Sequence, residues 1–283
     1  MIVIMGKSGN LGSALFSHFG HSAFGVGHSF FKDWWKVNEK KEIEKFLAGF
    51  RSPNNSILIA SGLLDPKYTD EEMLRANFFL PKNVIEVARE LNWRVVTFGT
   101  ISETFQGHVS PYLRSKQALG EYLLSSTTVG DVATHVRLHT LYGGGRPKPY
   151  MFLGQILNSL LSREPLKMTQ GKQLREYHDV NDDALAIDHI LNSGRKGVID
   201  LSHGQPITLR KLAEHVFLRF DSSELLSVGL LPEPIAENYD RIFQKEAPYL
   251  DVEFRTSLEA IGDYLELIMK KGFESKDESQ TKF

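Results

Sequence analysis

Residues 1–12 read Met1-Ile-Val-Ile-Met-Gly-Lys-Ser-Gly-Asn-Leu-Gly12, and the other predicted elements are arranged around this stretch. The apolar, β-branched start predicts a buried strand that ends at the first of three glycines spaced Gly-x-x-Gly-x-x-Gly. Leu15, Phe16 and Phe19 then lie on one side of a helix that begins inside the glycine loop. Such a helix start offers backbone N–H groups and the positive end of the helix dipole to a pyrophosphate.

The three glycines have separate roles in a loop of this kind. Gly6 permits the tight turn, Gly9 allows a ligand to approach the backbone, and Gly12 lets the helix pack closely on the strand. The alternative is that the glycines mark only a tight turn, and the loop by itself does not decide between the two. On the first interpretation the cofactor-binding residues of the loop are Gly6, Ser8, Gly9, Asn10, Leu11 and Gly12.

Composition narrows the class of protein. The 283 residues are enough for a large α/β domain with a smaller lobe, and 33 Lys and Arg against 35 Asp and Glu give a net charge of −2. The scattered basic residues favour neither nucleic acid nor a membrane surface as a partner. The absence of cysteine excludes disulfides, thiolate catalysis and cysteine metal sites. No apolar stretch approaches the ~20 residues of a membrane span, so we expect a cytoplasmic protein.

Strand and helix patterns alternate through the first half of the chain. Strands are predicted at residues 22–27, 56–61, 94–98 and 132–138, with helical patterns between them. A long helical pattern at 69–91 contains Pro81, which should kink or break it. Strands separated by helices imply βαβ crossovers, so the sequence predicts a doubly wound parallel sheet of the Rossmann type.

Beyond residue 145 the alternation weakens, which predicts a second lobe. We assign residues 1–142, together with about 176–215, to a dinucleotide-binding domain, and residues 143–175 and 216–283 to a smaller α/β substrate lobe. Helices are expected at 152–161 and 257–271, a strand at 198–201, and a further helix after Thr208, which is placed to act as its N-cap.

The ends of the second and third strands carry the remaining cofactor predictions. An acidic residue at the tip of the second strand would bind the adenosine ribose and select NAD, but this tip carries His28 and Ser29. With Lys32 these residues offer donors to a 2′-phosphate, which favours NADP and leaves NAD as the alternative; they also suit an ordinary loop. At the end of the third strand the predicted cofactor-binding residues are Ala60, Ser61 and Gly62.

Tyr112 and Lys116 are four residues apart on a predicted helix and therefore lie on the same face. A free phenol titrates near pH ~10, and lowering its pKa by ~3 units requires about 4 kcal/mol of stabilisation of the phenolate. A nearby ammonium in a dry site supplies a large part of that. The alternative is an aromatic side chain that packs against a solvated lysine.

Three longer motifs follow the glycine loop in a fixed order: Ser110-Pro-Tyr-Leu-Arg-Ser-Lys-Gln-Ala-Leu-Gly-Glu121, Arg137-Leu-His-Thr-Leu-Tyr-Gly143 and Arg175-Glu-Tyr-His-Asp-Val-Asn-Asp-Asp183. Together they resemble the extended branch of the short-chain dehydrogenase/reductase superfamily, which includes NAD-dependent epimerases, dehydratases and reductases acting on nucleotide sugars. Within the branch, the loop Gly6-Lys-Ser-Gly-Asn-Leu-Gly12 is most similar to that of the dTDP-4-dehydrorhamnose reductases.

The resemblance implies a role for each matching residue. Tyr112 would exchange a proton with a sugar keto oxygen, Lys116 would bind the nicotinamide ribose and hold the tyrosine pKa low, and Arg175 would bind the nucleotide diphosphate. The chain departs from the family pattern at Phe98-Gly-Thr-Ile-Ser102, where Ser-Ser or Ser-Thr is usual. The assisting hydroxyl is therefore either Thr100, which we prefer by position, or Ser102, which we also assign to the substrate.

These residues lead to three functional hypotheses. The first is a reductase of a nucleotide-activated 4-keto-6-deoxy sugar in polysaccharide biosynthesis, with NADPH as the hydride donor. The second is a redox-neutral nucleotide-sugar epimerase with bound NAD, and the third is a non-catalytic nucleotide-binding subunit. Asp182 and Asp183 resemble a helix start, so no metal is predicted. A homodimer would pair the amphipathic helices near 73–91 and 110–124.

Overall fold

The computed structural model describes all residues except 51, 53, 106–109, 126–132, 235–236, 256–257 and 281–283, and it describes side chains as far as residue 270.

The chain divides into two compact units. The first consists of Met1–His139, Val180–Ser202 and Lys245–Val252, and the second of Thr140–Asp179, His203–Gln244 and Glu253–Phe283. These units place residues 203–215 in the second group, because the helix that follows Thr208 packs in that unit's core. The domain boundaries given above stay a prediction.

The first unit is built on a parallel sheet that has six strands in the described residues. The strands are β1 (Ile2–Met5), β2 (Ala23–Val26), β3 (Ser56–Ile59), β4 (Arg94–Thr100), β5 (Ala133–Leu138) and, after shorter strands of the second unit, β10 (Gly197–Asp200). Their spatial order is β10-β5-β4-β3-β1-β2. The chain therefore moves outward from β1 to β2 and returns past β1 to β3, which confirms the predicted doubly wound sheet. The predicted strand at 132–138 agrees with β5 except for residue 132, which lies outside the described residues.

Both faces of this sheet are buried, which explains the nearly continuous apolar strands. Val3 and Met5 belong to the larger core cluster, together with Ile57 and Ile59 of the neighbouring strand. Ile4 alternates with them and is also fully buried, so it packs on the opposite face. The first face is covered by helices that contribute Val84, Ile85, Leu119 and Leu123 to the cluster.

Helices connect the strands of the first unit. They are α1 (Asn10–Phe19), α2 (His28–Phe31), α3 (Lys40–Ala48), α4 (Asp70–Leu74), α5 (Leu80–Glu90), α6 (Pro111–Ser125) and, beyond the second unit's α7, α8 (Val180–Ser193). α4 and α5 occupy the long helical pattern predicted at 69–91, and a π-helical stretch, Arg75–Phe79, separates them. Pro81 lies in the first turn of α5 and lacks an N–H, and the α-helical hydrogen bonding is interrupted by the π-helical residues just before it, while the backbone stays helical without a break. Asp182 and Asp183 lie in the first turn of α8, as expected of a helix start.

The second unit combines helices with short strand pairs. Its helices are α7 (Phe152–Ser162), α9 (Leu209–Arg219) and α10 (Leu258–Gln280), and its strands are β6 (Thr140–Tyr142), β7 (Leu166–Lys167), β8 (Leu174–Arg175), β9 (Tyr177–Asp179), β11 (Ile207–Thr208) and β12 (Leu226–Ser227). The side chain of Thr208 accepts a hydrogen bond from the Lys211 N–H, which confirms its predicted N-cap role. The last helix is longer than predicted and extends to Gln280. Within the described residues, no helix is both long and apolar enough to cross a membrane.

Candidate active site

The glycine loop closes tightly on itself after β1. Gly6 has a positive φ of 83°, which favours glycine, and its N–H donates to the carbonyl of Val26 at the end of β2 over 3.0 Å. The carbonyl of Gly6 accepts from the N–H of Gly9 at 3.0 Å. A Cβ on Gly12 would lie only 2.1 Å from the Gly6 oxygen, so no side chain fits there. The loop requires glycine at the first and third positions of the motif.

The loop fits the pyrophosphate of a dinucleotide. α1 begins directly after Gly9, which has the extended backbone of an N-cap residue, and no side chain in the described part of the chain caps this helix. Its first turn reads Asn10-Leu-Gly12 and contains no acidic side chain to oppose an anion. The N–H groups of the turn and the positive helix end therefore face the position that a phosphate would take.

The end of β3 lies directly beside this loop. A Cβ on Gly6 would come within 2.8 Å of the Ser61 backbone nitrogen and 3.0 Å of the Ala60 carbonyl carbon. β1 and β3 are adjacent strands, and the strand order reverses between them, which is where doubly wound sheets bind their ligands. The structure thus brings together the two groups of residues predicted for the cofactor at the ends of β1 and β3.

Lys116 reaches from α6 to the ends of β3 and β4. Its Nζ donates to the carbonyl of Phe98 at 2.7 Å, and a Cβ on Gly62 would lie 3.5 Å from the same nitrogen. The ring of Tyr112, one turn earlier on α6, has its centroid 6.0 Å from this nitrogen. Burial lowers the pKa of Lys116 to about 8, and the negative charge of Glu103 acts in the opposite direction. The predicted pair is therefore assembled, with the lysine buried and the tyrosine half-buried.

Both candidate hydroxyls lie where β4 ends. The hydroxyl oxygen of Thr100 accepts from the Ser102 N–H at 3.3 Å, while the Thr100 N–H donates to the Glu103 carboxylate at 2.7 Å. Thr100 and Ser102 are each half-buried, two and four residues beyond the Phe98 carbonyl that binds Lys116. The geometry leaves the choice between the two hydroxyls open.

Asn77 is a site residue that the sequence reasoning missed. Its amide nitrogen donates to the Leu63 carbonyl at 2.8 Å and to the Ser115 hydroxyl at 2.9 Å, and its amide oxygen accepts from the Leu63 N–H at 2.9 Å. It lies in the π-helical stretch and is buried. Asn77 therefore ties the loop after β3 to the helix that carries Lys116. The sequence signal was one amide in an otherwise apolar run shortly before Pro81.

The residues predicted to select the cofactor lie at the end of β2. His28 and Ser29 are exposed in the first turn of α2, and the ring of His28 packs edge-on against Phe31. The aliphatic part of Lys7 lies across β2, because a Cβ on Gly25 would be 2.5 Å from the Lys7 Cδ. This edge of the loop is therefore lined by polar and cationic side chains.

Arg175 differs from the other predicted residues because it lies in the second unit. It follows Leu174 in β8, and its guanidinium forms an ion pair with Glu237. The two side chains are 24% and 22% exposed, so the pair is partly screened by protein. An anion that binds Arg175 has to compete with the Glu237 carboxylate, a partner 62 residues later in the chain.

Comparison with known proteins gives a family match. The sequence model of the NAD dependent epimerase/dehydratase family matches residues 2–201, which is well over half of the chain. This range contains the glycine loop, the Tyr112–Lys116 pair and Arg175.

Solved structures share the fold across nearly the whole chain. A UDP-glucose 4-epimerase from Thermotoga maritima is 15% identical with a TM-score of 0.77, covering 96% of this chain and 99% of the epimerase. A dTDP-4-dehydrorhamnose reductase from Clostridium acetobutylicum is 16% identical with a TM-score of 0.75, covering 95% and 99%. A UDP-N-acetylglucosamine 4-epimerase from Methanobrevibacter ruminantium is 15% identical with a TM-score of 0.74, covering 95% and 98%. At these identities the likeness establishes the fold, and both reductases and epimerases have it.

Proposed function

The chain belongs to the NAD dependent epimerase/dehydratase family, and within it we propose that the protein is an NADPH-dependent reductase of a nucleotide-activated 4-keto-6-deoxy sugar. It is an NAD(P)-dependent enzyme of the extended short-chain dehydrogenase/reductase type, and a nicotinamide dinucleotide is its cofactor. The observation that carries the proposal is the position of Lys116, whose Nζ binds the Phe98 carbonyl one helical turn from Tyr112 and beside Gly62.

Tyr112 is the proton donor in this proposal. When bound, the reduced nicotinamide supplies a hydride to the keto carbon of the sugar. The phenol of Tyr112 gives its proton to the keto oxygen as negative charge develops there, and Thr100 or Ser102 donates a hydrogen bond to the same oxygen. Proton transfer of this kind contributes about 10²–10⁴-fold to the rate.

Lys116 acts on this proton transfer through its charge. Its ammonium stabilises the phenolate that remains after Tyr112 has given up the proton, and it offers further N–H donors to ribose hydroxyls. The buried position strengthens this electrostatic effect because little water screens it. With a pKa of about 8, Lys116 loses its charge as the pH rises through that value, so activity should fall above it.

The cofactor preference follows from the edge at β2. The sequence places no acidic side chain between Gly25 and Lys32, so no carboxylate would repel a 2′-phosphate there. His28 and Ser29 are exposed and offer donors, and Lys7 adds a cation from the glycine loop. These features favour NADP over NAD, and we expect at least tenfold tighter binding of NADPH than of NADH.

The substrate proposal rests on two features. Lys7 and the amide residue Asn10 make the glycine loop more similar to that of the dTDP-4-dehydrorhamnose reductases than to that of the epimerases. Arg175 provides a guanidinium, whose planar donors suit the diphosphate of a nucleotide sugar. Because Glu237 already pairs with this guanidinium, substrate binding would exchange a carboxylate for phosphate oxygens.

A direct assay decides between reduction and epimerisation. Purified protein is mixed with NADPH and a panel of 4-keto-6-deoxy nucleotide sugars, and the absorbance of the reduced nicotinamide is followed. The proposal expects stoichiometric oxidation of NADPH with at least one sugar. Turnover of a nucleotide sugar without net change in the cofactor would contradict it and favour an epimerase that holds NAD.

Tyr112→Phe tests whether the protein is catalytic at all. We expect kcat to fall by about 10³-fold, because the proton donor is lost while the aromatic packing remains. Cofactor affinity, measured by fluorescence titration, should stay within twofold. Tyr122→Phe is the matched control on the same helix, since that hydroxyl bonds to Glu86. An unchanged rate in Tyr112→Phe would support the non-catalytic subunit instead.

A homodimer that pairs the helices near 73–91 and 110–124 completes the proposal; the first comprises the end of α4, the π-helical stretch and α5, and the second is α6. Asp70 of α4 forms an ion pair with Arg114 of α6, and Leu124 near the end of α6 is 69% exposed. Light scattering after size-exclusion chromatography should give twice the mass of one chain. Leu124→Glu should shift that mass toward one chain, and Leu218→Glu, at an equally exposed leucine of the second unit, should not.

A further inference from the structure

The Glu103 side chain fills a space that two glycines leave between β4 and α6. A Cβ on Gly99 would lie 2.2 Å from one carboxylate oxygen of Glu103, and a Cβ on Gly120 would lie 2.9 Å from the other. The side chain of Glu103 is only 5% exposed. Because either methyl group would collide with the carboxylate, the two glycines are what allows an acidic side chain at this place.

The buried carboxylate is held by partners on both sides. Glu103 Oε1 accepts from the Thr100 N–H at 2.7 Å, and Oε2 lies 3.1 Å from His135 Nε2. The other ring nitrogen of His135 lies 2.8 Å from the Thr97 hydroxyl, and His135 is fully buried. We call Glu103, His135 and Thr97 the Glu103 cluster. A buried charge is tolerated only with such partners, and these fix the carboxylate in one position.

The Glu103 cluster adjoins Lys116. Gly120 is one turn beyond Lys116 on the same face of α6, and Gly99 directly follows the Phe98 carbonyl to which Lys116 donates. The ring of Tyr112, also on α6, lies 6.0 Å from the Lys116 nitrogen, and His135 on β5 contacts Glu103. The π-helical stretch contributes the neutral amide of Asn77, which bonds to Ser115. Glu103 is the negative charge that acts on the buried ammonium.

We propose that Glu103, fixed by His135, is a positioning residue that keeps Lys116 in its charged form and holds the end of β4 at Thr100. The proposal rests on the proposed function for the roles of Lys116 and Thr100. The two glycines place the Glu103 carboxylate between the end of β4 and α6, where its negative charge favours the charged form of the neighbouring ammonium. The same carboxylate accepts from the N–H of Thr100, which carries one of the two candidate hydroxyls. No covalent step is assigned to Glu103, because its oxygens are directed to Thr100 and His135.

Glu103→Gln tests the charge without changing the shape. An amide oxygen can still accept from the Thr100 N–H, but the negative charge is gone. Lys116 is titrated by NMR in protein labelled with ¹³C-lysine, and its signal is identified by its absence in Lys116→Met. Wild-type Lys116 should titrate at about 8, and the variant about one unit or more lower, because an opposite charge shifts a pKa by 1–3 units. The high-pH decline in NADPH oxidation should move by the same amount.

The control is Glu176→Gln, since Glu176 is an equally buried carboxylate beside histidines in the second unit. It should leave the titration of Lys116 unchanged. An unchanged Lys116 titration in Glu103→Gln, or an equal shift in both variants, would overturn the proposal. A shift of Lys116 in a protein that reduces no 4-keto sugar would instead support the role of Glu103 and refute the proposed substrate.

Gly120→Ala decides the matter if Glu103→Gln does not fold. Alanine is a better helix residue than glycine, and the atom its methyl would meet is the end of a flexible side chain, so the fold should persist. The methyl group displaces the Glu103 carboxylate, so the pKa of Lys116 should be lower than in the wild type. The decrease should be smaller than in Glu103→Gln, because the negative charge is moved and not removed. A folded Gly120→Ala protein with the wild-type Lys116 titration would contradict the proposal.

Discussion

Two buried clusters in the described part of the chain each combine one glutamate with histidine, and they differ in what lies beside them. In the Glu103 cluster the carboxylate adjoins the ammonium of Lys116 at the end of β4. The Glu176 cluster of the second unit consists of Glu176, His178 and His203, with the two imidazole rings stacked 4.6 Å apart. Its carboxylate oxygen lies 3.2 Å from His178 Nε2 and accepts from the His203 N–H at 2.8 Å. The carboxylate therefore adjoins an ammonium in the first unit and two imidazole rings in the second.

The two clusters show that burial alone does not identify a functional carboxylate. Phe254 packs against both rings of the Glu176 cluster, which is what a structural polar core needs. The Glu103 cluster instead adjoins Lys116, and a Cβ on the exposed Gly62 would lie 3.5 Å from the Lys116 nitrogen. We therefore expect changes in the second cluster to affect stability, and changes around the first to affect cofactor binding and catalysis.

The largest stability effect should come from Glu176→Leu. This change removes the Glu176 oxygen that accepts from the His203 N–H and lies beside His178 Nε2, both in a buried place. A buried donor that loses its acceptor costs about 1–3 kcal/mol, so the free energy of unfolding should fall by at least that amount. Urea unfolding at pH 7 measures it. Glu176→Gln keeps an acceptor oxygen and should cost less than half as much; equal losses would show that the charge, not the acceptor, holds this cluster.

Lys116→Met should raise the free energy of unfolding, whereas Glu176→Leu lowers it. Burial depresses the pKa of Lys116 to about 8, whereas an unfolded lysine titrates near ~10.4. Below pH 8 the folded state therefore holds a charge that burial disfavours, and we expect the variant to be about 2 kcal/mol more stable at pH 7. Between pH 8 and ~10.4 the unfolded chain binds more protons, so wild-type stability rises and the difference closes.

Activity provides the second half of that test. Lys116→Met should lose about 10²-fold or more in kcat while gaining stability, because the buried charge is retained for function. NADPH oxidation measures the loss in kcat, and denaturant unfolding at pH 7 and pH 10 measures the gain in stability. A variant that is less stable than wild type at pH 7 would mean that the hydrogen bond to Phe98 outweighs the desolvation of the ammonium.

Asn77→Ala should separate binding from stability. It removes the hydrogen bonds that hold the loop after β3 to Ser115, so we expect about tenfold weaker NADPH binding and about 1–2 kcal/mol lower stability. Asn83→Ala is the matched control, because that buried amide on α5 donates to the Trp34 carbonyl and makes no contact with the loop after β3 among those described. It should lose similar stability with unchanged affinity. Equal affinity losses would refute a specific role for Asn77.

Local patterns predicted much of the fold. The apolar strands, the glycine loop, the interruption at Pro81 and the cap at Thr208 depend on neighbouring residues, and the sequence contains that information. The Glu103 cluster depends instead on strand register. Thr97 lies beside His135 because β4 pairs with β5 in one register out of several, and the two residues are 38 positions apart. The partner of Arg175, Glu237, was unforeseen because it lies outside any strand or helix and 62 positions away along the chain.

The smallest expected effect is the loss of a helix cap in the second unit, which should lower stability without changing cofactor binding. Thr208→Ala removes the side-chain acceptor of the Lys211 N–H at the start of α9, and loss of such a cap costs about 1 kcal/mol. Since α9 packs through Leu212 and Val216 into the second core, NADPH affinity and the Lys116 titration should stay at wild-type values. Thr69→Ala, at the capping box of α4, should cost a similar amount but also weaken NADPH binding slightly, because α4 leads into the stretch that positions Asn77. An equal change of NADPH affinity in both cap variants would contradict this expectation. It would mean that the second unit affects cofactor binding as much as the first.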